Sequence, residues 1–372
     1  MGLADQGLVA IRTCGEPPAG WDELLGADPG ADFFHSPAWS AAACANYPDL
    51  EPIWLVAESG GRMVGGLPAV RRTRRSVLPL SVDHLESSLE GTSGGPVVRD
   101  DLPLEIQESV FQGLVQNFLD LRKGPLASCS ISLNTSHEKR FGHLLPAATG
   151  WKRRDVPGAV IDLAGGLEKV EMTRLNGNKR NERNRGLRRG AEVFTTSESK
   201  WIDGYYPMYE SASRIWGIAP VPRKFLLDLL EVGPDRVFFV CVKLEDKVIG
   251  GHLCLVSGDR ILAWNGVSDP AHARTHFPGT LCFWGDIVEA CARGARWLDL
   301  GASGGVNSLS GFKKYFGAEL EDRGFYVLET AGLKLLQQTR AGLGRAGSLL
   351  GRRSGSERWH DRPDESGQAD RS

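Results

Sequence analysis

The sequence predicts an α/β protein with mixed sheets, built from two similar units in tandem. The chain of 372 residues is longer than one typical hydrophobic core requires, which suggests two domains. A hairpin pattern also occurs twice, at residues 52–67 and again at residues 237–253. Each copy reads as a strand, a polar turn and a return strand that carries two adjacent glycines. We therefore expect two equivalent sheets with a cleft between them.

Local signals place the elements of the first unit. Ser36 and Pro37 predict the start of a helix, as its N-cap and its first residue. Residues 101–121 have the apolar spacing of an amphipathic helix. A strand at residues 158–163 closes the unit, so we place the N-terminal domain at residues 1–165.

The second unit begins with a helical, aromatic-rich segment at residues 201–216, which Pro207 should kink or interrupt. A strand at residues 261–267 follows the second hairpin and carries Trp264 and Asn265 near its middle. An apolar helix at residues 281–292 comes next.

The remaining boundaries follow from composition. We expect the C-terminal domain, with the donor and catalytic elements, at residues 166–330. Residues 331–372 should form one helix and then a tail. The tail is rich in Gly, Arg, Ser, Asp and Pro from residue 343 onward, which predicts disorder.

Charge and cysteine content limit the function classes. A formal net charge of -2 does not suit a protein that coats DNA, so any polyanion site must be local. The 7 cysteines are scattered, with no Cys-x-x-Cys pair, which is typical of reduced thiols in a cytoplasmic protein without a metal site. The sequence shows no signal peptide and no apolar run of membrane-spanning length.

A dense basic run occupies residues 176–190. Six of its residues are cations: Lys179, Arg180, Arg183, Arg185, Arg188 and Arg189. On a helix, Arg180, Arg183 and Leu187 share one face, with Leu187 as the apolar anchor. Gly186 argues against an unbroken helix. The run is either a solvated helix face or an anion-binding ridge, and its density of like charge favours an anionic partner.

The stretch at residues 296–317 looks like a strand, a glycine-rich exit and a helix. Asp299 ends the strand, at the sheet edge where open α/β sheets place ligands. Gly301, Gly304 and Gly305 follow it and allow close backbone approach.

We expect Ser310 to cap the next helix, with Lys313 in its first turn. A helix dipole disfavours a cation there, so Lys313 should be held by a carboxylate or aimed at an anionic ligand. A solvated surface lysine is the other interpretation.

This stretch resembles the C-terminal signature of the Fem-type (FemAB/BioF-like) transferases of the GNAT acyltransferase superfamily. The matching residues are Asp-Leu-Gly at 299–301 and Gly-Phe-Lys-Lys-Tyr-Phe-Gly-Ala-Glu at 311–319. Further matches, in the same order along the chain, lie at residues 33–39, 64–68, 94–96 and 179–189.

The resemblance implies two tandem GNAT-like domains and N-acyl transfer to an amine. It implies that Lys313 stabilises the oxyanion or the terminal ribose-phosphate, and that Phe312 forms the wall beside it. Asp299 would orient or deprotonate the amine, or else cap the glycine-rich turn as a structural residue. We add Trp264 and Asn265 as substrate-binding candidates from their place in the strand.

The donor is the open question. A CoA-binding GNAT has a glycine-rich loop before its long helix, whereas residues 274–280 contain one glycine, and Pro278 removes a backbone donor. Gly279 and Thr280 could still hold one phosphate. The basic run, with Lys179, Arg180, Arg183 and Arg188 as candidates, suits the phosphates of a tRNA stem.

We therefore predict aminoacyl-tRNA as co-substrate and no bound cofactor. The acceptor would be an amine-bearing small molecule or a peptidoglycan-type precursor, and we expect neither DNA binding nor stable membrane insertion. Two alternatives remain: an acyl-CoA-dependent N-acyltransferase, and a non-catalytic protein that binds a glycan or peptide precursor.

Overall fold

The structure is a computed structural model that describes residues 9–75, 81–89, 92–145, 150–303 and 307–348. Its framework is two mixed sheets, which have eight and seven strands among the described residues. Helices pack on the faces of both sheets, as the predicted α/β class requires.

The first half opens with a helix-capping motif that the sequence predicts correctly. Ser36 Oγ accepts a hydrogen bond from the Trp39 N–H, and Pro37 is the first helical residue. The elements of this half are β1 (Ala10–Cys14), α1 (Trp21–Gly26), α2 (Pro37–Asn46), β2 (Leu50–Ser59), β3 (Arg62–Arg75), β4 (Ser81–Glu86), β5 (Val97–Val98), α3 (Leu104–Asp120), β6 (Ala127–Leu133), α4 (Thr135–Phe141) and β7 (Lys152–Asp155).

The second half contains longer helices. Its elements are β8 (Gly158–Asp162), α5 (Gly166–Thr173), α6 (Gly177–Arg188), β9 (Ala191–Thr196), α7 (Lys200–Trp216), α8 (Arg223–Leu230), β10 (Val237–Leu244), β11 (Lys247–Ser257), β12 (Arg260–Ser268), α9 (Pro278–Ala292), β13 (Trp297–Ala302), α10 (Asn307–Lys314), β14 (Glu319–Glu321), β15 (Gly324–Glu329) and α11 (Ala331–Ser348).

Two helices of this half continue past the points where the sequence suggested that they could end. α7 is one helix through Pro207, so the proline does not interrupt it, and Tyr205 and Tyr209 on either side of the proline are buried. α11 continues to Ser348, beyond the expected start of the tail. The rest of the tail, residues 349–372, lies outside the described residues.

The two predicted hairpins occupy equivalent places in the two sheets. In β2–β3, Ala57 pairs with Gly65, and a bulge follows at once. In β10–β11, Val242 pairs with Gly250, and a bulge follows at the same step. One offset along the chain relates both strands, the turn and the bulge, so the halves are copies of one architecture.

The next strands repeat as well. β4 pairs with β6 in parallel after the crossover helix α3, and β12 pairs with β13 in parallel after the crossover helix α9. A short helix follows in each half, α4 in the first and α10 in the second. Each half therefore has a parallel strand pair with a crossover helix, the geometry that places ligands at strand ends.

Two strands do not lie in the sheet that the predicted boundary at residue 165 assigns to them. β8 lies between β13 and β14 in the second sheet, while β15 lies between β6 and β7 in the first. These two strands cross the boundary expected at residue 165, so that boundary does not separate the sheets. The division into two folding domains stays a prediction.

A cluster of aromatic side chains from both halves packs at the contact between them. Trp39 of α2 lies with its ring centroid 5.1 Å from that of Phe225 on α8 and 5.0 Å from that of Trp264 on β12. Buried residues of both halves form one continuous core around them. This packing fixes how the second sheet faces the first half.

Candidate active site

The N-terminus of α9 is occupied by a carboxylate of the protein itself. Thr280 Oγ1 donates a hydrogen bond to Glu182 Oε2 at 2.6 Å, and Lys179 Nζ donates to the same oxygen at 2.7 Å. A carboxylate is favourable at the positive end of a helix. Thr280, one of the predicted phosphate contacts, is therefore engaged, and Gly279 lies beside it at the same helix end.

α6 reaches this position because one of its residues is glycine. A Cβ added at Gly186 would lie 2.5 Å from the carbonyl oxygen of His276, so only glycine lets α6 lie against the loop before α9. The helix is unbroken from Gly177 to Arg188. The objection that Gly186 raised against a continuous helix is wrong, because the close packing compensates for its low propensity.

The inward face of α6 differs from the predicted one. Leu187, the expected anchor, is 43% exposed. Arg183 points inward instead: its side chain is 11% exposed, contacts the Glu171 carboxylate at 2.7 Å, and lies over the Trp284 ring at 4.2 Å. The helix is turned by its contact through Gly186, so Arg183 is a packing residue and not part of an exposed ridge.

The other cations of α6 are likewise either partly buried in contacts within the protein or exposed to solvent. Lys179 Nζ lies 4.5 Å from the centroid of the Phe312 ring, and Arg180 Nη1 donates to the Glu171 carbonyl at 3.4 Å. Both side chains are partly buried. The exposed cations of the run are Arg185, Arg188 and Arg189.

Lys313 is a buried lysine, which excludes the surface interpretation. Its Nζ donates to the carbonyl oxygens of Gly301 and Ala302, each at 3.0 Å, and the residue is 3% exposed. Burial lowers the pKa of Lys313 to about 8, although the nearby charge of Asp299 acts in the opposite direction. An ammonium has three donors, so two carbonyls leave one available.

The helix around Lys313 begins earlier than predicted. α10 starts at Asn307, so Ser310 lies inside the helix and is not its N-cap. Lys313 consequently lies in the last turn, where the helix dipole favours a cation. Its position needs no carboxylate partner, and its two contacts are backbone carbonyls.

Asp299 is held by three donors. Its Oδ1 accepts from the Gly301 N–H at 2.8 Å, and its Oδ2 accepts from Arg323 at 2.6 Å and from Arg260 at 3.4 Å. Both oxygens of the carboxylate are therefore already engaged by donors of the protein itself. The geometry favours the structural alternative for Asp299, as the cap of the turn after β13. Gly304 and Gly305, expected in that turn, lie outside the described residues.

The two candidates on β12 belong to the packing around the strand. Trp264 is part of the aromatic cluster between the halves. Asn265 is buried, and its Oδ1 accepts from the Tyr205 hydroxyl at 2.5 Å. Burial raises the pKa of Tyr205, which keeps the phenol protonated as a donor. The structure brings neither side chain into contact with Lys313 or α6.

Phe312 does lie beside the α6 cations, as a wall residue should. Its ring centroid is 5.5 Å from that of Phe283 and 5.3 Å from that of Phe316. Phe283 and Phe316 are 5.2 Å apart as well, so the three rings form a compact aromatic cluster at α9. The role of Phe312 in substrate binding stays a prediction.

Two features escaped the sequence analysis. Arg323, the main partner of Asp299, is a lone arginine in a short connection, and no pattern distinguishes it. His252 on β11 forms a 2.5 Å contact with the buried Asp286 of α9. A single histidine in the apolar strand Lys247–Ser257 was a detectable signal, because isolated ionisable groups are rare in buried strands.

A cavity of about 460 Å³ lies between α4 and β7 of the first half and β8, β13 and β14 of the second. Residues of both halves line it, including Glu138 from the first and Asp162 from the second. Both carboxylates are already paired, Glu138 with Arg153 and Asp162 with Arg296. The cavity fits the cleft expected between the units.

Metal and membrane elements are not found in the part of the chain that the structure describes. No group of three or more His, Cys, Asp or Glu side chains there is arranged to hold a metal ion. None of the described helices is long and apolar enough to span a bilayer.

Similarity to known proteins agrees with this architecture. Residues 174–314 match the family described as the acetyltransferase (GNAT) domain. No curated protein sequence matches the chain.

Solved structures resemble nearly the whole chain. FemX superposes with a TM-score of 0.64 at 11% identity, over 88% of this chain and 99% of its own. A tandem GNAT protein from the clavulanic acid biosynthesis pathway gives 0.51 at 14% identity, over 87% and 99%. L-PGS from Bacillus licheniformis gives 0.50 at 13% identity, over 89% and 98%. The chain thus has a tandem GNAT-like fold, and its residues 174–314 are similar to the GNAT acetyltransferase domain.

Proposed function

We propose that the protein transfers an aminoacyl group from aminoacyl-tRNA to an amine on a small molecule or a cell-wall precursor. The observation that carries this proposal is the Glu182 carboxylate at the N-terminus of α9. A CoA-binding GNAT uses that helix end for the pyrophosphate. A fixed carboxylate there repels a pyrophosphate, and Pro278 removes one of the backbone donors it would need.

Exposed arginines beside the same loop support a nucleic-acid donor. Arg185, Arg188 and Arg189 lie on the outer side of α6, and Arg189 donates to the Thr275 carbonyl of the loop at 2.7 Å. Clustered arginines bind backbone phosphates without needing a shaped nucleotide pocket. The resemblance to Fem-type transferases points to the same donor.

The chemistry is attack of the acceptor nitrogen on an ester carbonyl, which develops negative charge on the carbonyl oxygen. We assign stabilisation of that charge to the third N–H donor of Lys313. The carbonyls of Gly301 and Ala302 fix the ammonium in one position. A preorganised donor of this kind does not have to reorient during the reaction.

Acyl-CoA is the second candidate donor. The matched domain is described as an acetyltransferase, and the structure of the clavulanic acid pathway protein is described as lacking AcCoA. For this chain, a CoA donor would require Glu182 to move away from Thr280 or to be protonated.

One experiment decides between the donors. The purified protein is incubated with total charged tRNA, each amino acid labelled in turn, and separately with labelled acetyl-CoA, against the same panel of amines. Label transfer from tRNA alone supports the proposal. Transfer from acetyl-CoA alone overturns it. Glu182→Gln is the matched variant, and it should improve any residual use of acetyl-CoA because the repelling charge is removed.

A further inference from the structure

The second half contains a buried histidine–carboxylate pair. His252 Nδ1 lies 2.5 Å from Asp286 Oδ2. The Asp286 side chain is 0% exposed, and that of His252 is 10% exposed. A carboxylate at Nδ1 keeps the proton on that nitrogen and leaves Nε2 as the proton-accepting atom.

Nε2 of His252 lies against Gly266, its partner on the neighbouring strand β12. No hydrogen-bond partner for it is found among the described residues. A Cβ added at Gly266 would lie 2.2 Å from Cδ2 and 2.6 Å from Nε2, so the ring fits only because β12 has glycine there. The pairing of β12 with β13 ends at Leu262, so Gly266 lies where these two strands have separated.

The imidazole ring of His252 contacts the aromatic side chains of the candidate active site. The His252 ring centroid is 4.8 Å from that of Phe283, which in turn is 5.5 Å from that of Phe312. Phe312 carries Lys179 over its ring at 4.5 Å. The imidazole therefore contacts the aromatic cluster at α9 through Phe283, and Lys179 of α6 contacts the same cluster through Phe312.

The first half shows that the fold does not need this pair. Gly65 of the first hairpin and Gly250 of the second are equivalent positions. By the same alignment of the two hairpins, Leu67 of the first half is equivalent to His252 of the second. On the crossover helices, one offset matches the buried positions of α3 to those of α9: Val110 to Cys282, Phe111 to Phe283, Leu114 to Asp286 and Val115 to Ile287.

Leu67 and Leu114 are both 0% exposed and belong to one apolar cluster. Two leucines thus occupy the place where the second half has histidine and aspartate. Replacing both partners of a buried hydrogen-bonded pair by apolar side chains is often neutral or stabilising. The polar pair in the second half consequently has a purpose other than holding the fold.

We propose that His252, positioned by Asp286, is the general base of the acyl transfer. As the acceptor nitrogen forms its bond to the acyl carbon, it gives one proton to His252 Nε2. The same proton then passes to the leaving oxygen of the ester, or to the leaving sulfur of a thioester, as the bond to the acyl carbon breaks. The inference rests on the acyltransferase activity and holds for either donor, because the base acts on the acceptor.

The thiols around the pair are neutral. Cys254 Sγ on β11 lies 3.5 Å from Asp286 Oδ1, and Cys282 is on the same helix as Asp286. Burial raises the thiol pKa of both cysteines well above the usual range. Asp286 is therefore the acidic side chain that contacts the imidazole among the described residues.

Three variants test the proposal, with the donor that the wild-type protein uses. His252→Gln and Asp286→Asn should lower kcat about 100-fold or more with little change in KM. The residual rate of His252→Gln should rise with pH, because hydroxide replaces the missing base. The double variant His252→Leu/Asp286→Leu copies the first half, so it should unfold at or above the wild-type temperature and still be inactive.

Two results would overturn the proposal. One is a folded double variant that retains turnover within about threefold of wild type. The other concerns the tautomer and needs no activity: ¹⁵N-histidine NMR of the full chain near pH 7 should show His252 with Nδ1 protonated and Nε2 bare. A proton on Nε2 excludes the base role. A wild-type protein inactive with both donors would count against the proposed function alone, and the NMR result would still decide the role of the pair.

Discussion

The short helices that follow the parallel strand pairs, α4 and α10, each carry a cation, and the two halves bind that cation differently. In the first half, Arg140 of α4 donates to the buried Asp28 carboxylate at 2.6 Å, and His137 contacts the same carboxylate at 3.0 Å. In the second half, Lys313 of α10 binds two backbone carbonyls, and no carboxylate contacts it among the described residues. In the first network the charge of Arg140 is paired with that of Asp28. In the second, Lys313 uses two of its three N–H donors and keeps one available.

The pKa shifts express the same contrast. Burial opposes ionisation of Asp28, but His137 and Arg140 outweigh it and hold the pKa of that carboxyl well below its usual range. For Lys313, burial is the dominant influence, and it lowers the pKa of the ammonium. A fully compensated network stabilises a fold, while an incompletely compensated charge is typical of functional sites. The two halves thus share one frame, and the incompletely compensated charge of Lys313 lies in the second half.

The largest expected effect is on Lys313. Lys313→Met should reduce turnover about 100- to 1000-fold with little change in donor binding, because one oxyanion donor is lost. Lys313→Arg should not restore it, since a planar guanidinium cannot replace a compact ammonium between two carbonyls. Steady-state kinetics with the donor found active provide the measurement.

Two controls sharpen this prediction. Lys314→Met changes an exposed neighbour and should be mild. Arg140→Met changes the first-half cation, so it should lower the thermal stability but leave turnover per folded molecule near wild type. Equal losses of turnover for Lys313→Met and Arg140→Met would contradict the claim that the first-half cation is structural and the second-half cation is catalytic.

The second prediction concerns Asp299, whose partners make it a structural carboxylate. Asp299→Asn leaves Arg323 without its anion, and the side chain of Arg323 is 13% exposed. Breaking such a pair costs about 3 kcal/mol or more of unfolding free energy. Urea unfolding measures the loss, and turnover per folded molecule should stay close to wild type. A stable variant with no activity would return Asp299 to the role of catalytic base.

The sequence was sufficient for the repeated frame. Hairpins with a polar turn and a Gly-Gly return strand are local patterns, and the Ser36–Pro37 helix start depends on neighbouring residues alone. The amphipathic helices α3 and α9 likewise follow from apolar spacing. Where the prediction was right, a few adjacent residues decided the structure.

The site could be predicted only in part, because its contacts are between distant segments. Nothing near Arg183 in sequence reveals that α6 is turned by the contact between Gly186 and His276. The pairing of Asp299 with Arg323 and the sheet positions of β8 and β15 also depend on tertiary packing. The motif identified Lys313 as a candidate, but the predicted start of its helix was wrong. Ser310 is a good N-cap residue, yet the helix begins at Asn307, so Lys313 lies in the last turn and not in the first.

The third prediction follows from the lowered pKa of Lys313, about 8 in the folded protein against 10.5 for an ordinary lysine. Between these pH values the unfolded chain holds a proton that the folded protein has released, so stability should rise with pH across this window. The increase attributable to Lys313 is at most about 3 kcal/mol. Unfolding at a series of pH values should show it in wild type and in Lys314→Met, but not in Lys313→Met.

The smallest expected effect concerns the outer face of α6. Arg185→Ala/Arg188→Ala should weaken binding of charged tRNA several-fold and reduce the slope of log affinity against log salt by about 1.5, because each phosphate contact contributes roughly 0.7 to 0.9. Arg183→Met is the matched internal control: it removes an arginine of the same run that packs on Trp284 and Glu171, so it should lower stability without changing the salt slope. Binding is measured by filter retention from about 50 to 200 mM salt. If the slope is the same for wild type and the double variant, the outer arginines are a solvated face, and the support that α6 gives to a tRNA donor is lost. If Arg183→Met lowers the slope as much as the double variant does, then α6 must turn when the donor binds, and Glu182 would leave the end of α9 with it.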